Sequence, residues 1–128
     1  MVSLVVGVTG CKDDDHDNDP NNMVTITIEA PMNDGMIPIA DCGSVHIHVD
    51  VEASVENHEM EILLHPEGDV NDKIIDFDMH AHDKVITFAQ DVDLCSYGAG
   101  ACFHLEVVAC VDHDCGEKST ADVKFCLQ

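Results

Sequence analysis

Between residues 44 and 53 the chain alternates without a break, placing Val45, Ile47, Val49 and Val51 on one side and His46, His48, Asp50 and Glu52 on the other. A two-residue period of this kind is what a half-buried β-strand requires, because successive side chains leave opposite faces of the pleat. The same texture begins at residues 23–30, where Val24, Ile26 and Ile28 alternate with Thr25, Thr27 and Glu29. It returns at 59–65 with Met60, Ile62 and Leu64 inward, and at 102–111 with Phe103, Leu105 and Val107 inward. Weaker strands are predicted at 73–79 and 84–94, and a last strand at 119–127 follows that of 102–111 through a tight turn. Turn-forming residues separate these runs: Pro31, Asn33, Asp34 and Gly35, then His65-Pro66-Glu67-Gly68, and finally Asp112-His113-Asp114-Cys115-Gly116. About seven short strands in roughly 100 residues, with no helical period, predict an all-β, immunoglobulin-like antiparallel sandwich over residues 23–128. A small barrel is the structural alternative. A parallel α/β fold is excluded because no segment can serve as a crossover helix.

The amino terminus has a different pattern. Residues 1–10, MVSLVVGVTG, are apolar and end in small residues, with Cys11 immediately after. This run is too short to span a bilayer, which takes about 20 helical residues. It reads as the back half of a secretory signal whose charged start is missing, as a misplaced start codon would leave it. Val8-Thr9-Gly10-Cys11 resembles a bacterial lipobox, in which the cysteine is acylated and becomes the first mature residue. Residues 11–22 then carry five Asp and no apolar residue after the cysteine, which predicts a disordered, self-repelling acidic tether. Asp13, Asp15 and Asp17 alternate like a calcium loop, but the turn glycine and the closing bidentate Glu are missing, so an EF-hand is not expected.

A cysteine followed by Lys and several acids resembles the sorting signal that sends lipoproteins of Bacteroidota to the outer face of the outer membrane. Three segments of the domain carry a related likeness: LLHPEG at 63–68, the His80/His82 stretch ahead of VITF, and CFHLEVVACVDHDCGE at 102–117. Together they resemble a family of Bacteroidota outer-membrane lipoproteins in which one immunoglobulin-like domain follows the lipid anchor. The resemblance implies that fold and a cell-surface location, with the bilayer as partner through acylated Cys11. It implies no reaction. The present sequence departs from the family in carrying far more cysteine.

Charge narrows the partners. The 128 residues hold 26 Asp and Glu against 5 Lys and no Arg, a formal charge of −21. Nucleic acid is therefore excluded, since binding it needs cations to replace condensed counterions. Anionic headgroups are disfavoured as a docking surface for the same reason. Hydrophobic residues make up 45% and aromatics only 4%, so the core must be built from aliphatic side chains, Met and Phe. Met23, Met32, Met36, Met60 and Met79 are scattered, which favours core filling over a copper–thioether motif.

Seven cysteines in an exported chain divide into the lipidated Cys11 and six that can form three disulfides. Cys110 and Cys115 flank the last hairpin turn and are the easiest pair. For the other four, an up-and-down sandwich places Cys42, Cys95, Cys102 and Cys126 near one end. The preferred set is Cys95–Cys102 with Cys42–Cys126, and the rival is Cys42–Cys95 with Cys102–Cys126. A zinc site built from these cysteines is the competing reading, but no Cys-x-x-Cys knuckle is present.

Nine histidines in so acidic a chain make divalent metal the first chemistry to consider. His46 and His48 share the outward face of one strand, about 6.6 Å apart along it. They can reach one zinc or copper ion if Glu52, or a residue of the strand at 84–94, supplies a third ligand. His65 and His104 form a second candidate pair, expected to point outward and face each other across antiparallel strands. His80 and His82 lie in a connection and can be drawn to either pair. Against this stands the plain requirement for polar residues at outward strand positions, and imidazoles also offer a charge response below about pH 6.5. Catalysis is not expected: Ser44, Ser54, Ser96 and Ser119 lack a nucleophile-elbow context, and no glycine-rich phosphate loop exists. The sequence thus points to a surface-exposed, non-enzymatic lipoprotein module binding a divalent metal or metal-bearing ligand as an accessory to an uptake complex. A structural subunit of an outer-membrane assembly with no ligand of its own is the second reading, and a small His-zinc hydrolase the third.

Overall fold

The computed structural model describes residues 22–128, so the expected signal, Cys11 and nearly all of the acidic tether lie outside the described residues. Eight strands follow in chain order: β1 Val24–Ala30, β2 Gly35–Ile37, β3 Val45–Ala53, β4 Glu59–Pro66, β5 Ile75–His80, β6 Val85–Val92, β7 Cys102–Cys110 and β8 Lys118–Leu127. They form two packed sheets, a three-stranded one in the order β1-β3-β6 and a five-stranded one in the order β2-β8-β7-β4-β5. The chain is an all-β, immunoglobulin-like sandwich. Among the described residues, no helix is long and apolar enough to cross a membrane.

The alternation read from the sequence sets the inner faces. Val45, Ile47, Val49 and Val51 of β3 are buried against Met60, Ile62 and Leu64 of β4 and Phe103, Leu105 and Val107 of β7 within one core. Phe103 anchors one end of it, edge-on to Tyr97 (5.2 Å between centroids) and stacked on Phe125 (5.4 Å). Rings in these arrangements gain a little beyond the area they bury.

Several expectations are corrected. The sandwich has eight strands rather than seven and is not purely antiparallel, because β2 pairs in parallel with the end of β8. The stretch after Pro31 does turn, with the Gly35 N–H donating to the Met32 carbonyl at 2.9 Å. A Cβ at Gly35 would stand 2.8 Å from that carbonyl oxygen, so the turn needs glycine. The turn then delivers Met36 opposite Cys126 and Ile37 opposite Leu127, and the chain becomes a strand by pairing rather than by its own composition. Core filling holds for Met60, which is 1% exposed, and fails for Met23, Met32, Met36 and Met79, all of which face solvent. Asn22 is the end of the predicted tether, yet it is 3% exposed.

The sandwich is not up-and-down, and this redistributes the cysteines. β3 and β6 are hydrogen-bonded neighbours with Val45 opposite Val92, so the residues before β3 meet those after β6. Leu94 N–H donates to the Cys42 carbonyl there (2.9 Å), and Cys42 bonds Cys95. On the other sheet Cys102 and Cys126 are direct cross-strand partners and form the second bridge. The preferred pairing of Cys95 with Cys102 and Cys42 with Cys126 is therefore overturned in favour of its rival. Cys110–Cys115 closes the β7–β8 turn as expected.

Candidate metal centre

Three connections meet at one end of the sandwich: residues 54–58 between β3 and β4, residues 81–84 between β5 and β6, and residues 111–117 between β7 and β8. Two buried asparagines tie them down. The Asn22 amide donates to the carbonyls of Glu56 and Val111, both at 2.8 Å, while its oxygen accepts from the N–H groups of Val55 (3.0 Å) and Glu56 (3.3 Å). Asn57 donates to the carbonyls of Val51 (3.2 Å), Asp83 (2.9 Å) and Lys84 (3.1 Å). Buried amides hold their places because leaving such groups unpaired is costly. The Ala81 N–H donates to the His58 carbonyl at 2.9 Å, which completes the link between the first two connections.

The result is a cluster of imidazoles that no strand periodicity announces. His58 is 3% exposed and lies edge-on to His82 (centroids 5.4 Å apart) and to His113 (5.9 Å). His80 stands 4.8 Å from His82 and 6.4 Å from His113 by the same measure. Glu56 supplies the carboxylate. Its Oε2 is 3.7 Å from His58 Nε2 and 3.6 Å from His82 Nδ1. Glu56, His58 and His82 each offer one ligand atom, all within 4.8 Å of one another.

These spacings suit a small cation. Bonds of about 2.0–2.1 Å in a tetrahedral zinc site put the ligand atoms roughly 3.3–3.4 Å apart, and both nitrogens already stand within a few tenths of an ångström of that spacing from Glu56 Oε2. Two imidazoles and one carboxylate form a common zinc donor set that leaves a fourth position open. His82 Nε2 meets His80 Nε2 at 3.1 Å, so His80 fixes the ring that presents Nδ1 to Glu56, the orienting contact metal-bound imidazoles usually have. Burial lowers the pKa of His58, and the neighbouring His82 and His113 reinforce this against the opposing pull of Glu56 and Asp112. The ring is thereby kept in the neutral form that binds metals. Its Nδ1 is buried with no hydrogen-bond partner.

The histidines singled out from the sequence are distributed differently. His80 closes β5 rather than lying in a connection, and with His82 it belongs to this end cluster, not to either strand-face pair. His46 and His48 do share a face, with ring centroids 5.9 Å apart, but each has its own carboxylate. His46 Nδ1 pairs with Asp91 of β6 at 2.7 Å, and His48 Nε2 with Asp50 at 3.3 Å. Hydrogen bonds from His46 and Ser44 lower the pKa of Asp91. Glu52, offered as a third ligand, sits opposite Val85 and Thr25.

His65 and His104 are direct partners in the β4–β7 ladder, with rings stacked at 5.6 Å. His65 is not an exposed ligand, however. It is 3% exposed, and both its nitrogens are engaged, Nδ1 with the Pro66 carbonyl (2.8 Å) and Nε2 with Glu106 (3.1 Å). Burial pulls its pKa down, but those two hydrogen bonds outweigh it and the net shift is upward.

Sequence reasoning missed Glu56, His58 and His113. The signal available was the run Glu56-Asn57-His58 directly before a strand, together with a histidine in the tip of the last hairpin, because alternate strand ends of a sandwich gather at one end. Compared with known proteins, the chain matches no family model and no curated protein.

Proposed function

We propose that this chain is a non-enzymatic module that binds a divalent metal, zinc or copper, or a ligand carrying one, through Glu56, His58 and His82. In this reading the module is held at the outer-membrane surface by an acylated Cys11 and serves an uptake complex. The observation that carries the metal reading is the convergence of two imidazole nitrogens on one oxygen of Glu56, with His58 buried and neutral beside it. Val8-Thr9-Gly10-Cys11 and the acids after it support the anchor. A structural subunit is favoured by a different feature, the exposed Met79 and Val85 on strands at the edges of the two sheets, which would suit edge-to-edge docking.

Titration calorimetry with zinc chloride on the full chain separates the two readings. The metal reading expects one equivalent bound with a Kd of about 1 μM or tighter, lost in His58→Ala and His82→Ala. The His46→Ala/His48→Ala and His65→Ala/His104→Ala variants should keep it. Protons compete for the same lone pairs, so affinity should fall on acidification. Binding that survives His58→Ala with His82→Ala would sink the assignment.

A further inference from the structure

The Cys110–Cys115 bridge lies beside the carboxylate of Glu59. Cys115 Sγ is 3.7 Å from Glu59 Oε1, and Glu59, Cys110 and Cys115 each offer one ligand atom within 4.8 Å of the others. They line a surface recess of about 220 Å³ together with Glu61, Val108 and Lys118. Three different elements position the set: Glu59 opens β4, Cys110 ends β7, and Cys115 sits in the turn with φ of 57°. The two cysteines are spaced Cys-x4-Cys, the long end of the spacing used by paired zinc cysteines, and the closed bridge already holds their Cα atoms 4.7 Å apart.

We infer that reduction of Cys110–Cys115 unmasks a second metal site, in which two thiolates and the Glu59 carboxylate hold a thiophilic divalent cation such as zinc. A dithiol reductant supplies two electrons and two protons, breaking the S–S bond to give two thiols while the reductant closes to its own disulfide. Each thiol then releases its proton to solvent as its sulfur binds the cation. The donor set is softer than the His/Glu cluster, and soft thiolates select zinc, cadmium and cuprous ions over harder cations. In a tetrahedral site with a sulfur bond of about 2.3 Å and an oxygen bond of about 2.0 Å, those two ligand atoms sit roughly 3.5 Å apart. Cys115 and Glu59 are already near that spacing. Lys118, directly opposite Cys110 in the β7–β8 ladder, favours negative charge at this point of the surface.

The bridge is also the one whose opening disturbs the fold least. It spans 5 residues in sequence, against 24 for Cys102–Cys126 and 53 for Cys42–Cys95. Short loops restrict the unfolded chain least, so their bridges contribute least to stability. The site does not depend on the His/Glu cluster, although Glu59 is the cross-strand partner of His80 and the two lie on adjoining ground.

The test is a Cd²⁺ titration of the full chain, oxidised and after dithiol treatment, followed by the ultraviolet thiolate-to-cadmium charge-transfer band and by circular dichroism of the fold. In the full chain carrying Cys11→Ser, so that each remaining cysteine belongs to a bridge, the reduced form should gain one equivalent of cadmium carrying that band, while the oxidised form shows no band. Cys110→Ser/Cys115→Ser, reduced identically and retaining the other cysteines, should lose the band, and a band of equal size in that variant overturns the proposal. Glu59→Gln, on the surface and with its sulfurs intact, should weaken cadmium binding about tenfold, and unchanged affinity overturns the three-ligand site. His58→Ala/His82→Ala should leave the reduced-state band in place, so failure of the histidine site and failure of this one are read separately.

Discussion

The disulfide connectivity makes a quantitative demand that equilibrium unfolding can check. In the chain-entropy picture a bridge acts mainly by shrinking the unfolded ensemble, with a contribution that grows as the logarithm of the loop it closes. Cys42–Cys95 closes 53 residues, Cys102–Cys126 closes 24 and Cys110–Cys115 closes 5. At room temperature these spans correspond to about 4, 3.5 and 2 kcal/mol respectively. A domain of this size is stable by only about 5–15 kcal/mol, so the first two bridges each hold a large share of it and the third a small one. Guanidinium unfolding of the three paired Cys→Ala variants, with midpoints and slopes fitted together, should rank them in that order. The pairing itself is read from a mutant cycle. Cys42→Ala and Cys95→Ala break the same bridge, so the double variant should cost little more than either single, whereas Cys42→Ala and Cys126→Ala break different bridges and should add. Strong coupling between Cys42 and Cys126 would refute the connectivity, and a larger loss from Cys110/Cys115 than from Cys42/Cys95 would refute the loop argument.

Two further outcomes test the packing and the electrostatics. Met60→Ala, at a site 1% exposed, should cost about 2–5 kcal/mol in the same unfolding assay, while Met36→Ala, at 53% exposed, should stay within about 0.5 kcal/mol. Because the pKa of His65 is raised from 6.5 in the folded state, the protonated ring contributes stability that is fully present below pH 6.5 and lost as pH rises through the raised value. The stability difference between the native chain and Glu106→Gln should therefore be largest in mild acid and shrink in alkali, and a difference that grows with pH would contradict the assignment. His58 acts in the opposite sense: with its folded pKa lowered, it removes stability as pH falls below 6.5.

Strand positions were legible where one face alone is buried. The runs at 45–51 and 103–107 could be read directly because a one-residue slip would turn every apolar side chain outward. β2 was not legible. Its three residues follow a turn and carry no period of their own, and their extended state comes from Phe125, Cys126 and Leu127 across a parallel ladder. The disulfides were legible as a set of six cysteines but not as pairs, because pairing depends on which strands are neighbours. Once β3 lies beside β6 and β7 beside β8, Cys42 can reach Cys95 and Cys102 can reach Cys126. Asn22 was lost in a run of solvated residues because nothing local distinguishes an amide that will clamp Glu56 and Val111 from one that will face water. The exposed methionines failed for the reverse reason: their chemistry suits a core, but Met32 lies in a turn and Met36 on the outward side of the short β2, and both face solvent.

The contrast between the two kinds of histidine is the physical argument for proposing a metal centre at the end of the sandwich rather than on its face. On a strand, neighbours are fixed by register. His46 and His48 are held two residues apart, and the side chains within reach are whatever the ladder places beside them, here Asp91 for one and Asp50 for the other. Each of these two imidazoles has its own carboxylate, and the ladder gives the rings no reason to turn toward a common point. His65 is a stronger case, since both of its nitrogens are already engaged. The end of the sandwich obeys a different geometry. Chain segments remote in sequence converge there because alternate strand ends must be connected, and buried amides fix the loops without imposing a pleat. Glu56, His58 and His82 reach one point from two such connections, with His80 and the hairpin tip bearing His113 beside them. Two imidazoles then share a single oxygen of Glu56, an arrangement that a cation can organise, whereas His46 and His48 on the sheet face pair with separate carboxylates.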